Sequence, residues 1–145
     1  MNFFPKTISN RILIIDDEED VLDFLQIFLS SLGWAATIAV SVNEAFSHLE
    51  RNAYFMILTD IAMPEMDGYE LVSTLREKKV PSIIAMMTGF GYNPKHTLIK
   101  INRAMKCEFF FKPFDRLKIS EGVQDAWIQY HKGFLLPESQ IDPVM

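Results

Sequence analysis

The sequence predicts an α/β fold: an open, doubly wound parallel sheet of five strands with helices on both faces. Three observations carry that expectation. Short apolar runs alternate five times with segments whose apolar residues recur at helical spacing. The first run, Ile12-Leu13-Ile14-Ile15, is apolar at every position, as in a central strand covered on both sides. Four of the five runs end in a polar residue, and strands of an open α/β sheet point their carboxyl ends at a ligand crevice.

The elements follow in order. Residues 11–15 form the first strand, and Val21, Leu25, Phe28, Leu29 and Leu32 mark a helix that Gly33 stops. Trp34 to Val40 reads as a second, less hydrophobic strand. Ser41-Val42-Asn43-Glu44 is a capping box opening a helix with Ala45, Phe46 and Leu49 inside. Tyr54 to Thr59 is a third strand ending at Asp60. Met63-Pro64-Glu65-Met66-Asp67-Gly68 is a turn, followed by a helix through Tyr69, Leu71, Val72 and Leu75. Pro81 precedes a fourth strand, Ser82 to Met87, ending at Thr88. After the glycine-containing stretch from Gly89 comes a helix through Leu98, Ile101 and Met105. Phe109-Phe110-Phe111 is a short fifth strand closed by Lys112-Pro113, and a fifth helix carries Leu117 or Ile119, Val123, Trp127 and Tyr130.

This divides the chain into an N-terminal extension (1–10), one domain (11–131) and a C-terminal tail (132–145) in which Gly133 and two prolines break the helical pattern. Lys and Arg number 14 against 19 Asp and Glu, a formal charge of −5, which argues against a nucleic-acid surface. The single cysteine, Cys107, forms no internal disulfide and fits a reducing cytoplasm. The first residues lack the apolar core of a signal peptide, and no apolar run approaches the roughly 20 residues that span a bilayer. A cytoplasmic location is the expectation.

The strand-end rule gathers Asp16, Asp17, Asp60, Thr88 and Lys112 into one crevice. Acids at a helix start complement the macrodipole, which accounts for Glu18, Glu19 and Asp20 but says nothing of Asp60. Three crowded carboxylates repel one another, and a divalent cation such as Mg²⁺ relieves the repulsion. A carboxylate also accepts a phosphoryl group as an aspartyl phosphate, with an ammonium and a hydroxyl stabilising charge on that group. His48, His96 and His131 join no such set.

These residues resemble the receiver (response-regulator) family of two-component signalling. The resemblance lies in Ile12-Leu13-Ile14-Ile15-Asp16-Asp17-Glu18, in Asp60-Ile61-Ala62-Met63-Pro64-Glu65-Met66-Asp67-Gly68, in Thr88-Gly89 and in Lys112-Pro113-Phe114, and spans about residues 11 to 131. It implies a flavodoxin-like receiver fold, (βα)5, with Asp60 as phosphoacceptor. It implies Asp17 as a direct Mg²⁺ (or Mn²⁺) ligand, Asp16 contributing partly through water, Asp60 itself, and the backbone carbonyl of Ala62. Thr88 and Lys112 would contact the phosphoryl group, and Lys112-Pro113 would be a cis peptide. The switch would run through Thr88 and Phe109 to the face of the fourth helix, fifth strand and fifth helix.

The implied partners are a sensor histidine kinase or histidine phosphotransfer protein, and a downstream protein target. The implied role is a phosphorylated switch rather than a turnover enzyme. Ala62 and Phe90 stand where fast-dephosphorylating members carry polar residues, so a long-lived phosphate is expected. A receiver fragment of a larger hybrid protein is the alternative. A small aspartyl-phosphate phosphatase of the haloacid-dehalogenase type is a weaker one, because it needs Asp-x-Asp where this chain has Asp16-Asp17-Glu18.

Overall fold

The computed structural model describes residues 6–63, 68–88 and 108–135. The elements are β1 (Arg11–Ile15), α1 (Glu19–Ser31), β2 (Ala35–Ala39), α2 (Val42–Arg51), β3 (Met56–Asp60), α3 (Gly68–Glu77), β4 (Ile83–Thr88), β5 (Glu108–Phe111) and α4 (Arg116–Leu135). The five strands make one parallel sheet in the order β2-β1-β3-β4-β5. The expected helix through Leu98, Ile101 and Met105, together with Phe90 and the side chain of Phe109, lies outside the described residues.

Alternation along each strand builds two cores. Leu13, Ile15, Ile57, Ile84 and Met86 point to one face, which α2 covers with Ala45 and Leu49 and α3 with Leu71, Val72 and Leu75. Ile12, Ile14, Met56, Leu58, Ala85 and Met87 point to the other, under Leu22, Leu25 and Leu29 of α1 and Ile119, Val123 and Ala126 of α4. Each such aliphatic side chain stabilises the fold by about 2 kcal/mol when fully buried. The central strands are apolar on both faces because both faces are covered.

Several boundaries differ from the sequence expectation. The buried stripe of α1 is Leu22, Leu25 and Leu29, whereas Leu32 is the C-cap and is 45% exposed. Gly33, at φ +97°, ends that helix in a Schellman motif: its N–H donates to the Ser30 carbonyl and that of Trp34 to the Leu29 carbonyl. The turn carries Leu32 away from the core face. Lys79 takes the same role after α3 at φ +57°, a left-handed conformation with no glycine to mark it in the sequence. Tyr54 precedes β3 because its carbonyl accepts the Ser82 hydroxyl at 2.6 Å in place of a strand partner. The N-cap half of the expected capping box is observed on α2, where Ser41 Oγ accepts from the Glu44 N–H at 3.2 Å.

The C-terminal helix runs to Leu135, past the break expected at residue 132. Gly133 costs a helix only about 1 kcal/mol relative to alanine, and no proline intervenes before Pro137. The last turns also hold the residues before β1. The Thr7 N–H donates to Tyr130 Oη at 3.1 Å, and the buried Ser9 N–H donates to His131 Nε2 at 2.9 Å. His131 Nδ1 lies 2.9 Å from the Trp127 carbonyl, so the ring donates from Nδ1 and accepts at Nε2. Ser9 Oγ donates to the Ala53 carbonyl and accepts from the Arg11 N–H, tying this corner to β1 and the approach to β3.

His131→Phe keeps an aromatic ring among Phe55, Trp127 and Tyr130 but strands the buried Ser9 N–H; the Trp127 carbonyl, inside α4, loses only its added bond from the imidazole. The variant is expected to lose about 2 kcal/mol of stability. Urea unfolding at pH 7.5 measures it, and a loss below about 0.5 kcal/mol would show that this corner is not a structural clasp.

Candidate functional site

The carboxyl ends of β1, β3, β4 and β5 bring Asp16, Asp17, Asp60, Thr88 and Lys112 into one crevice, as the strand-end rule requires. Asp16 follows β1 and is fully buried. Its N–H donates to the Ala39 carbonyl, its Oδ1 accepts the Glu18 N–H at 2.9 Å, and its Oδ2 accepts Lys112 Nζ at 2.8 Å. Asp17, next in the chain, is exposed. Asp60 is the last residue of β3, in register with Met87, and its side chain is only 9% exposed. Its Oδ1 accepts the Ala62 N–H at 3.3 Å, and its Oδ2 lies 3.6 Å from Lys112 Nζ.

Around the Asp60 end of β3, among the described residues, the Ile61 N–H donates to the Met87 carbonyl and the Gly68 N–H to the Ile61 carbonyl. Gly68 packs so closely that a Cβ there would strike Met86 Cε and lie 3.0 Å from Ile61 Cα. Thr88 ends β4. Its carbonyl accepts the Lys112 N–H at 2.8 Å, and its buried hydroxyl has no hydrogen-bond partner among the described residues. Lys112-Pro113 is a cis peptide.

Burial pushes the Asp60 carboxyl up to about 6, and the negative charge of Asp16 pushes the same way. Lys112 and the Ala62 N–H pull it back without cancelling those effects. Burial works to lower the Lys112 ammonium, yet its bond to Asp16 and the charges of Asp60, Asp16 and Glu18 raise it overall. One ammonium therefore faces an excess of carboxylate. Asp16, Asp17 and Asp60 each offer an oxygen, all within 4.8 Å of one another. Hard oxygen donors at that spacing, with one carboxylate whose ionisation is resisted, fit a small divalent cation that keeps several waters.

Sequence reasoning missed Glu18 as part of this group. It was expected to serve the start of the helix, but its side chain makes no capping bond and its Oε2 lies 3.5 Å from Lys112 Nζ. The distance between a residue before α1 and one after β5 has no local signal in the chain.

The response regulator receiver domain family matches residues 12–124. The chain belongs to that family. It is a receiver domain of two-component signalling, with the five-stranded flavodoxin-like α/β fold. The receiver domain is 33% identical over 119 residues to an uncharacterised 14.6 kDa protein of Leptolyngbya boryana, covering 82% of this chain and 91% of that one. It is 31% identical over 116 residues to the response regulator protein PilR of Pseudomonas aeruginosa, covering 80% of this chain but only 26% of PilR. Among solved structures, a response regulator receiver domain protein from Clostridium thermocellum shares the fold at a TM-score of 0.72 and 24% identity, covering 87% of this chain and 98% of that one. Among the described residues, no helix is long and apolar enough to cross a membrane.

The Asp60 carboxyl implies a pH dependence in the receiver without divalent cations. Between its ordinary value of 3.8 and about 6, the folded chain keeps a proton that the unfolded chain has released. Stability therefore falls as pH rises from about 4 to about 6 and stays at the lower level above that. The interval corresponds to at most about 3 kcal/mol. In EDTA, Asp60→Asn is expected to match the wild type at pH 4 and to exceed its stability by about 2 kcal/mol at pH 7.5. Urea unfolding at the two pH values checks this, and a constant gap would assign the effect to something other than ionisation.

Proposed function

We propose that this receiver domain is a phosphoacceptor switch in which Asp60 takes a phosphoryl group from a phosphohistidine on a partner protein. The observation that carries the reading is the convergence of Asp60 with a buried Thr88 hydroxyl, unpartnered among the described residues, and the Lys112 ammonium at three separate strand ends. A buried hydroxyl without a partner costs about 1–3 kcal/mol, and a phosphoryl oxygen beside it would recover that cost. In the transfer, an Asp60 carboxylate oxygen forms a bond to phosphorus as the bond from phosphorus to the donor imidazole nitrogen breaks. The imidazole leaves with the electron pair.

Asp16, Asp17, Asp60 and the Ala62 carbonyl would hold Mg²⁺ or Mn²⁺. Bound there, the cation supplies charge neutralisation for the carboxylates and the transferred oxygens. Lys112 offers its ammonium to the same oxygens, and Thr88 its hydroxyl. The Ala62 N–H, already on Asp60 Oδ1, adds a fixed donor. Movement of Thr88 towards the phosphoryl group, with Phe109 turning inward, would pass the change to the face of the expected helix through Leu98, Ile101 and Met105, β5 and α4, and alter its affinity for a downstream protein. The donor would be a sensor histidine kinase or a histidine phosphotransfer protein, in the cytoplasm. The role is that of a switch rather than a turnover enzyme.

Incubation with Mg²⁺ and acetyl phosphate is expected to add one phosphoryl group by intact mass. The adduct should need Mg²⁺, be labile at high pH and vanish in Asp60→Asn; labelling that persists in that variant would assign the wrong nucleophile. Turnover of phosphate esters would instead favour a phosphatase. Ala62 and Phe90 provide no polar group to orient an attacking water. Ala62→Asn with Phe90→Glu is therefore expected to shorten the adduct's lifetime several-fold in a decay time course, and an unchanged or longer lifetime would count against the assignment.

A further inference from the structure

Glu18 stands at the N-cap of α1, where a side-chain oxygen ordinarily accepts a hydrogen bond from the first turn. Its side chain makes no such bond. Its N–H is fixed on Asp16 Oδ1 at 2.9 Å, and its Oε2 lies 3.5 Å from Lys112 Nζ. The same ammonium is 2.8 Å from Asp16 Oδ2 and 3.6 Å from Asp60 Oδ2. Glu18 and Asp60 thus hold one cation from nearly equal distances. They differ in solvation: the Glu18 side chain is 62% exposed and that of Asp60 9%. The Glu18 charge is the one that can be removed without uncovering a buried group.

We propose that Glu18 is a positioning residue that holds Lys112 back from Asp60 and so limits the rate at which Asp60 takes up a phosphoryl group. The proposal rests on the reading of Asp60 as phosphoacceptor. With acetyl phosphate as donor, an Asp60 oxygen bonds to phosphorus as the bond from phosphorus to the acetyl oxygen breaks, and acetate leaves with the electron pair. Charge on the transferring group draws Lys112 towards it, and that movement gives up the attraction to Glu18. An exposed ion pair is weak and screened by salt, so its effect is a few-fold in rate and fades at high ionic strength.

The test is labelling of the full chain at saturating Mg²⁺ over a range of acetyl phosphate concentrations. Glu18→Gln is expected to raise the maximal rate about threefold, with the half-saturating concentration changing less, and this ratio should fall towards one in about 1 M salt. Glu18→Asp, which keeps the charge, should stay nearer the wild-type rate. A maximal rate unchanged or lowered in Glu18→Gln, or a ratio indifferent to salt, overturns the proposal. So does an effect confined to the half-saturating concentration, which would be simple repulsion of the donor. The ¹⁵N chemical shift of Lys112 Nζ in EDTA gives a second readout, expected to move in Glu18→Gln and to hold in Glu18→Asp. If even the wild type is not labelled, the phosphoacceptor reading fails by itself. The Lys112 signal then decides the Glu18 contact, and an unmoved signal refutes it.

Discussion

The Lys112 ammonium is the constraint on which the rest of the site depends. It touches Asp16 at 2.8 Å and lies within 3.6 Å of both Glu18 and Asp60. Without a cation there, a fully buried Asp16 beside a nearly buried Asp60 would leave two carboxylates in a poor solvent with no counter-charge. The ammonium compensates only in part, because burial and Asp16 still raise the Asp60 carboxyl to about 6. Among the described residues, the crevice is short of positive charge. That shortage gives it chemical capacity: whatever brings positive charge, or carries oxygens to the Thr88 hydroxyl, which has no partner among the described residues, finds groups already in place.

Holding such a group together requires a rigid frame, which the doubly covered sheet supplies. The strands β1, β3 and β4 are anchored on both faces by aliphatic side chains, Ile12 and Ile14 against Leu13 and Ile15 on β1 for instance, while β5 is anchored by the buried Phe110. The backbone closes the remaining freedom, with the Lys112 N–H on the Thr88 carbonyl and the Ile61 N–H on the Met87 carbonyl. Far from the crevice, the Ser9–His131–Trp127 bonds tie the start of β1 to the end of α4. The two ends of the sheet are thus held by different means: charge at the carboxyl end, and a neutral imidazole among aromatic rings at the other.

Much of this was legible from residue order alone. The bounds of β1 and the positions of Asp60, Thr88 and Lys112 at strand ends follow from apolar runs stopped by polar residues, a local signal. Boundaries set by tertiary partners were read less well. Tyr54 has the character of a strand residue, yet its carbonyl answers the Ser82 hydroxyl, 28 residues away. The left-handed turn at Lys79 and the burial of His131 carry no compositional mark, because both depend on what packs nearby.

The sequence by itself determined the five-fold alternation, the parallel sheet and the residue types that meet in the crevice, since periodicity and strand-end chemistry are properties of neighbouring residues. Only the tertiary structure decided how charge is shared among them. Whether Glu18 caps its helix or turns to Lys112, and whether the Thr88 hydroxyl meets a partner among the described residues, depends on distances between residues up to 96 positions apart. Electrostatic interaction and burial act through space, so a residue's role in the crevice is set by which groups the fold brings beside it and how much water it leaves between them.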